Sequence, residues 1–544
     1  MNVPPQPELA STVLSVCREK GHLSGQDMET IARSLHIPTS LVYGFCSQFP
    51  EFTRPPGRPL LRVCMGPACA AAEPDADMER AMSGLESRAD VLRVAGLTWP
   101  HGSPTLAVRL PGEEERMVQG YRANQLEELA MNLDRKDLSA YPFPEAMAEY
   151  EVAGVDRGEM SPWLASLVGR EPFLPPDAVA VREASRDPSP VYELLEGECV
   201  FPIPLPQSGP PEILVCDTVG PSTEGSVDLL VAQACPHVVA AGTVLAAAAT
   251  GAKKVVFFVP WDRVELEADL RRAAEEGAAA ADLEWEVFPG PTYIPCHREI
   301  GVAAFMQGMM LWRAASICGR DGPMRLHPPT LVCGASTLWK VPWVLGRGGG
   351  KEGWKERLTL LAVGPKGVTR WVELPPALSV AELVARLSDA VLNGGRARAL
   401  YLEGKENRIY PEAADRVGIP YGTRRLVVLG EDTHIAGWAR RMLSAAEEEC
   451  CGGCTPGRTG PPAAASILDS AARGEKGEGM REVAIMLERA ELLALCPQLL
   501  RTFSVVRECM EFFPEDFSFR SGGGEQTERM VSGSGNTHGM GGRR

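Results

Sequence analysis

Cys451 and Cys454 form a Cys-x-x-Cys pair inside Glu449-Cys450-Cys451-Gly452-Gly453-Cys454-Thr455-Pro456-Gly457-Arg458. On a glycine-containing loop, two thiolates at that spacing can converge on one metal or cluster because little side-chain bulk separates them. Cys496, in a later helix-like segment, can close such a site from a neighbouring helix. Gly457 stands where a third cysteine at the same spacing would fall, and Cys450 lies directly beside the pair. The stretch reads as an iron–sulfur-type site short of one ligand.

Composition narrows what else the chain can do. Its 544 residues are too many for one core and point to roughly three or four domains. A formal charge of −16 argues against nucleic acid as a partner, since phosphate binding needs a basic surface. No apolar run reaches the ~18–20 residues of a membrane helix, so direct membrane insertion is not expected. Met1-Asn2-Val3-Pro4-Pro5-Gln6 has neither the basic nor the apolar region of an export signal, which suggests a cytoplasmic protein with reduced thiols. Among 15 cysteines, those standing alone (Cys17, Cys46, Cys199, Cys216, Cys235, Cys296, Cys318, Cys333 and Cys509) read as small buried apolar residues. Only Cys64/Cys69 and the C-terminal group stand out. The eight histidines are too scattered for a histidine-rich metal site, and no hydrolytic Ser/His/Asp or His-Glu-x-x-His arrangement is present.

The elements that must position these thiols follow in order. Three short helices are expected within about residues 7–55, the second capped by Ser24. Leu60 to Cys64 reads as a strand entering the Cys64-to-Cys69 loop; then come a helix, two strands and a helix from Ala123 to Leu133. That order suggests a small thioredoxin-like α/β unit. Residues 136–211 are proline-rich and read as a connector. From 212 to 345 strands alternate with helices, including the Ala-rich helix Pro236 to Thr250 with Gly251 as its stop. Leu358 to Val363 and Thr369 to Leu374 flank a hairpin signal, and Ser379 caps a helix. Four helices from Thr433 onward suggest a bundle, followed by a Gly/Ser-rich tail over 521–544 expected to be disordered.

Two groups of stretches each carry a resemblance. Gly21-His22-Leu23-Ser24 with Val63-Cys64-Met65-Gly66-Pro67-Ala68-Cys69 is similar to the thioredoxin-like [2Fe–2S] subunit of NADH dehydrogenase (complex I) and related hydrogenases. Pro236 to Gly242, Pro329 to Pro342 and Glu449 to Arg458 resemble the NADH-binding flavoprotein subunit of the same complexes. The first resemblance implies a second cysteine pair, which Val94 to Pro104 lacks; two thiolates cannot hold a cluster needing four ligands, so the [2Fe–2S] cluster is expected to be absent. The second implies FMN, NADH and a [4Fe–4S] cluster. Leu167 to Phe173 lacks the consecutive small residues of a phosphate cradle, Cys216 to Pro221 replaces an acidic stretch, and Tyr293-Ile294-Pro295-Cys296-His297-Arg298-Glu299 replaces a Tyr-Ile-Cys-Gly-Glu-Glu stretch. FMN and NADH contacts are therefore expected to be eroded. Gly346 to Lys351 lacks Walker spacing and reads as a loop.

The resemblance divides the chain into a helical plus thioredoxin-like region (1–135), a connector (136–211), a Rossmann-like flavoprotein domain (212–345), a β-grasp domain (346–425) and a helical bundle (426–520). In the bundle Cys451, Cys454 and Cys496 match the first, second and fourth cluster ligands, and Gly457 takes the third. Three outcomes stay open: an incomplete or [3Fe–4S] cluster, recruitment of Cys450, or an empty site. The expected function is a divergent electron-transfer or scaffold subunit among the other subunits of a redox complex. An active NADH:acceptor oxidoreductase and a non-redox docking protein are the alternatives.

Overall fold

The computed structural model describes residues 6–53, 57–71, 76–94, 104–111, 113, 115–141, 152–153, 177–199, 209–219, 227–261, 263–278, 281–318, 322–323, 325–346, 358–364, 369–375, 377–387, 391–392, 395–414, 417–472, 479–495 and 497–517. Helices Pro7–Lys20, Gly25–Ser34, Thr39–Cys46 and Pro50–Thr53 open the chain. Ser24 caps the second: its hydroxyl accepts the Asp27 N–H at 3.2 Å, and the Asp27 carboxylate accepts the Ser24 N–H at 3.0 Å.

Strands Leu60–Cys64 (β1), Asp90–Val94 (β2), Thr105–Arg109 (β3) and Arg116–Gln119 (β4) form one sheet in the order β2-β1-β3-β4. Helices Ala76–Glu86 and Ala123–Arg135 cover it, with Leu61, Leu85, Leu106, Leu126 and Leu129 at the core. The opening helices do not join this core. Leu9, Val13, Phe45, Phe49 and Phe52 pack instead with Val256, Phe258 and Phe305 of a later unit. Grouping residues 1–135 as one body thus misplaces the four helices, whose apolar faces find the larger aromatic surface elsewhere.

After Val152–Ala153 (β5), that later unit is built on Ile213–Asp217 (β6), Lys254–Pro260 (β7), Glu284–Gly290 (β8) and Thr330–Gly334 (β9). All four strands are parallel, in the order β8-β7-β6-β9. Their near-continuous apolar runs are divided by the two-residue side-chain period. Leu214, Cys216, Val255, Phe257 and Cys333 face the core containing helix Pro236–Thr250, while Val215, Val256, Phe258 and Val332 face the N-terminal helices and helices Arg298–Met306 and Leu311–Cys318. Gly251, at φ +78°, ends helix Pro236–Thr250, donating its N–H to the Ala247 carbonyl at 2.9 Å.

The expected connector over 136–211 contains structure of its own. Helices Ala178–Arg186 and Ser189–Glu198 bury Ala180, Ala184, Val191, Leu194 and Leu195 against the parallel sheet's helices. Asp177 caps the first, accepting the Ala180 N–H at 2.9 Å. The prolines that suggest an irregular chain leave this helical spacing intact, and Pro188 and Pro190 stand at the start of the second helix, where no N–H is needed.

A six-stranded sheet combines β5 with Leu358–Val363 (β10), Thr369–Leu374 (β11), Ala397–Gly404 (β13), Arg408–Pro411 (β14) and Thr423–Gly430 (β16) in the order β14-β13-β16-β10-β11-β5. Helix Val380–Leu387 contributes Leu383 and Leu387 to its core. Ala377–Leu378 (β12) and Val417–Gly418 (β15) pair separately.

Helices Ile435–Glu448, Thr455–Ala472, Gly479–Leu493 and Pro497–Phe512 form the bundle around Trp438, Leu443, Leu468, Leu487 and Phe503. The second begins at Thr455, directly after the cysteine loop, with Pro461 and Pro462 inside it. The Cys64-to-Cys69 loop is fastened to this bundle: Trp438 Nε1 donates to the Pro67 carbonyl at 3.0 Å and Arg441 Nη1 to the Ala70 carbonyl at 2.7 Å. Among the described residues no single helix is long and apolar enough to cross a membrane.

Candidate metal centre

The loop after helix Ile435–Glu448 turns back on itself before helix Thr455–Ala472 begins. Gly452 makes that turn at φ +70°, a conformation costly for any residue with a Cβ, and its N–H donates to the Cys450 Sγ at 3.3 Å. Cys450, Cys451 and Cys454 thereby line one pocket of about 450 Å³, a volume that includes its open mouth. Gly457 forms part of the same wall. A Cβ placed on it would lie 3.0 Å from Cys450 Sγ and 3.2 Å from Cys454 Sγ. The thiol of Cys450 thus borders the space that a side chain at position 457 would enter.

The segment following β8 supplies the facing wall. Tyr293 donates its hydroxyl to the Glu448 carbonyl at 2.5 Å, tying this segment to the end of the bundle helix. Cys296 and His297, just beyond, line the pocket. Cys296 stands alone in the sequence and reads there as an isolated buried thiol, but in the structure it lines the same pocket as Cys451. Its occurrence in the altered Tyr293-to-Glu299 stretch is the signal that could have found it. Cys496 lies outside the described residues, although Leu495 and Gln498 on either side of it line the pocket.

Burial and hydrogen bonding act differently on these groups. Burial pushes the Cys450 thiol up to about 11, against the opposing Gly452 N–H. The hydrogen bond from Cys296 brings Cys451 down to about 7 despite its own burial. His297 is held well below the ordinary imidazole value of 6.5, first by burial and then by the charges of Arg501 and Arg424. A neutral buried histidine opposes acid. The unfolded chain binds this proton near 6.5 and the folded chain does not, so stability is expected to fall as pH drops below about 6.5. The slope from this one group is at most about 1.4 kcal/mol per pH unit. Urea melts between pH 7 and pH 5 check it, with His297→Gln expected to flatten the dependence.

Among the described residues, no three His, Cys, Asp or Glu groups are arranged to hold a single metal ion. The thiols surround a larger space. Residues 437–520 match the family model described as the NADH-ubiquinone oxidoreductase-F iron-sulfur binding region. The F subunit of NADH-quinone oxidoreductase from Aquifex aeolicus is 23% identical over 343 residues, covering 57% of this chain and 78% of that protein. The F 2 subunit of the Rhizobium meliloti enzyme is 24% identical over 302 residues, covering 50% and 70% respectively. The chain is a relative of NADH dehydrogenase-type subunits. The fold is also similar to that of a solved NAD+-reducing [NiFe]-hydrogenase in its H2-reduced state, with a TM-score of 0.72 at 16% identity over 95% of this chain and 93% of that one.

The matched region is described as an iron–sulfur binding region, and the thiols that line the pocket fit such a cluster. The soft thiols of Cys450, Cys451 and Cys454 line the pocket from a single loop, and Cys496 is flanked by residues that line it.

The other expected sites fare differently. Cys64 ends β1 and Cys69 lies in the short helix Pro67–Ala71, while residues 95–103, including His101, lie outside the described residues. Strand order reverses between β6 and β9, the place where parallel sheets bind ligands beyond their carboxyl ends. There Asp217 accepts from Arg298 Nε at 3.1 Å, with both side chains buried. Asp228 accepts the Ser336 N–H and hydroxyl, each at 2.7 Å, and lies 3.5 Å from Arg424 Nη1. Residues 167–173 and 347–351 lie outside the described residues.

Proposed function

We propose that this chain is an electron-transfer subunit of a multisubunit redox complex, with a [4Fe–4S] cluster held by Cys450, Cys451, Cys454 and Cys496. The observation that carries this reading is the space beside Gly457. Cys450 Sγ lies 3.0 Å and Cys454 Sγ 3.2 Å from where its Cβ would be, so Cys450 supplies a thiol where the family pattern lacks one. When bound, such a cluster takes up and passes on single electrons. The chain's residues contribute thiolates, the Gly452 N–H directed at Cys450 and the pocket that they line.

The four-stranded sheet behind β1 is the thioredoxin-like unit in this reading, the parallel sheet the Rossmann-like unit and the six-stranded sheet the β-grasp unit. FMN and NADH chemistry is reduced or absent. The carboxylates of Asp217 and Asp228 support that view because they stand, already paired with Arg298, Ser336 and Arg424, at the edge where a flavin phosphate would need unopposed donors. Cys64 and Cys69 hold no [2Fe–2S] cluster in this scheme.

The test is the cofactor inventory of anaerobically purified chain. About four iron and four sulfide per chain, an EPR signal on reduction and no flavin are expected. Iron-free protein overturns the electron-transfer reading and leaves a scaffold. Yellow protein that reduces ferricyanide with NADH overturns the loss of flavin chemistry.

A further inference from the structure

We propose that Cys199 and Cys333 are a modification site: they join in a reversible disulfide when the chain meets a hydroperoxide, tying helix Ser189–Glu198 to the carboxyl end of β9. Neither residue lines the cluster pocket, so the pair is independent of the cluster reading.

Both cysteines stand alone in the sequence, 134 residues apart, and the fold brings their sulfurs to 3.6 Å in a hydrogen bond between thiols. Both thiols are free, and the residues are 2% and 0% exposed. The approach is fixed from both sides. Cys199 ends helix Ser189–Glu198, where its N–H donates to the Leu195 carbonyl at 2.8 Å. Cys333 is held within β9, in register with Cys216 of β6. One residue before Cys199, Glu198 accepts from Lys340 Nζ at 2.6 Å, and Lys340 lies shortly after β9. The same two segments are therefore joined at two successive residues. The Lys340 side chain is 19% exposed, so solvent reaches one of those joins.

A disulfide requires the sulfurs to close from 3.6 Å to about 2.05 Å, a movement of side chains rather than of whole elements. Hydrogen peroxide is small enough for a site closed to bulky oxidants. One sulfur takes an oxygen as the O–O bond breaks, giving a sulfenic acid and one water. The other sulfur displaces that oxygen as a second water, and the S–S bond forms. The two thiols thus give up two electrons and two protons, and the peroxide ends as two waters. The second step joins atoms already in contact, so it outruns further oxidation of the sulfenic acid. The cross-link closes a long loop and fixes β9 beside Gly334 and Ser336, where strand order reverses.

The experiment treats the folded full chain with hydrogen peroxide, blocks the remaining thiols with iodoacetamide in denaturant and maps the peptides by mass spectrometry without reductant. A peptide pair joined through Cys199 and Cys333 is expected to rise from a trace in the reduced chain to the major form of both residues. Dithiothreitol is expected to abolish it. Cys199→Ser is expected to leave Cys333 open to iodoacetamide after the same treatment. Both residues staying open to iodoacetamide at a peroxide level that oxidises the half-buried Cys69 overturns the proposal. So does a link from Cys333 to its strand neighbour Cys216, or sulfinic acid at either residue without a cross-link. A Cys199–Cys333 link that forms only when the chain is unfolded in urea before peroxide is added overturns it as well.

Discussion

Cys450→Ala is expected to strip the chain of most of its iron and sulfide, and Cys450→Ala/Gly457→Cys is expected to restore them. A cubane needs four protein thiolates or an equivalent set, and the loop pattern provides only two of the first three positions. In the structure the Cys450 sulfur lies 3.0 Å from the place of a Cβ at position 457, so the two positions address one region of the pocket from different backbone points. Removing one thiol empties that region, and adding the other refills it. Gly457→Cys alone is expected to gain little, because its new side chain would crowd Cys450 and Cys454. Iron and acid-labile sulfide per chain are the readouts, with Cys509→Ala as the control for a buried thiol in the bundle core. Retention of full iron content by Cys450→Ala would show that another group fills the third position.

The second large effect is expected at the carboxyl end of β6. Arg298 and Asp217 are buried to within 3% of full exclusion at their side chains, and the Arg298 Nε lies 3.1 Å from the carboxylate. Arg298 also donates to the Thr292 carbonyl and stacks 5.3 Å from the Phe258 ring centre, while Asp217 accepts the Val219 N–H at 3.0 Å. Burial pushes the Asp217 carboxyl up and the guanidinium pulls it down. Arg298→Met leaves the carboxylate in that environment without its counter-charge, at a cost of about 3–5 kcal/mol. Asp217→Leu/Arg298→Met removes both charges and is expected to recover a large part of that loss. Urea denaturation of the two single variants and the double variant closes the cycle. A single variant as stable as wild type would mean that the pair contributes only what a solvated surface pair does.

Local patterns carry much of the fold in the sequence. Helix Pro236–Thr250 is legible from its composition and stop signal, and β10 and β11 from the turn residues between them. Long-range packing is not. Nothing in the spacing of Leu9, Val13 and Phe45 distinguishes a partner sheet nearby in sequence from one some 200 residues on, so sequence alone groups the N-terminal helices with the wrong neighbour. Neighbouring prolines in the sequence hide helices Ala178–Arg186 and Ser189–Glu198, and Pro461-Pro462 masks the true start of the helix after the cysteine loop. At the site, a short spacing pattern picks out Cys451 and Cys454, which line one pocket. The approach of Cys450 to the space beside Gly457 needs the turn at Gly452, and the arrival of Cys296 needs the anchoring of Tyr293 on Glu448. Both are products of tertiary structure, which the alternation of residue types does not record.

The docking of the Cys64-to-Cys69 loop on the bundle through Trp438 and Arg441 joins two units carried by one polypeptide. Held by hydrogen bonds and small apolar contacts such as that of Ala70, this junction between separate chains would depend on concentration. Covalent linkage replaces that dependence with an effective concentration that dilution cannot change. The two units are therefore delivered in fixed one-to-one stoichiometry, and selection can relax the affinity of this contact without the units parting.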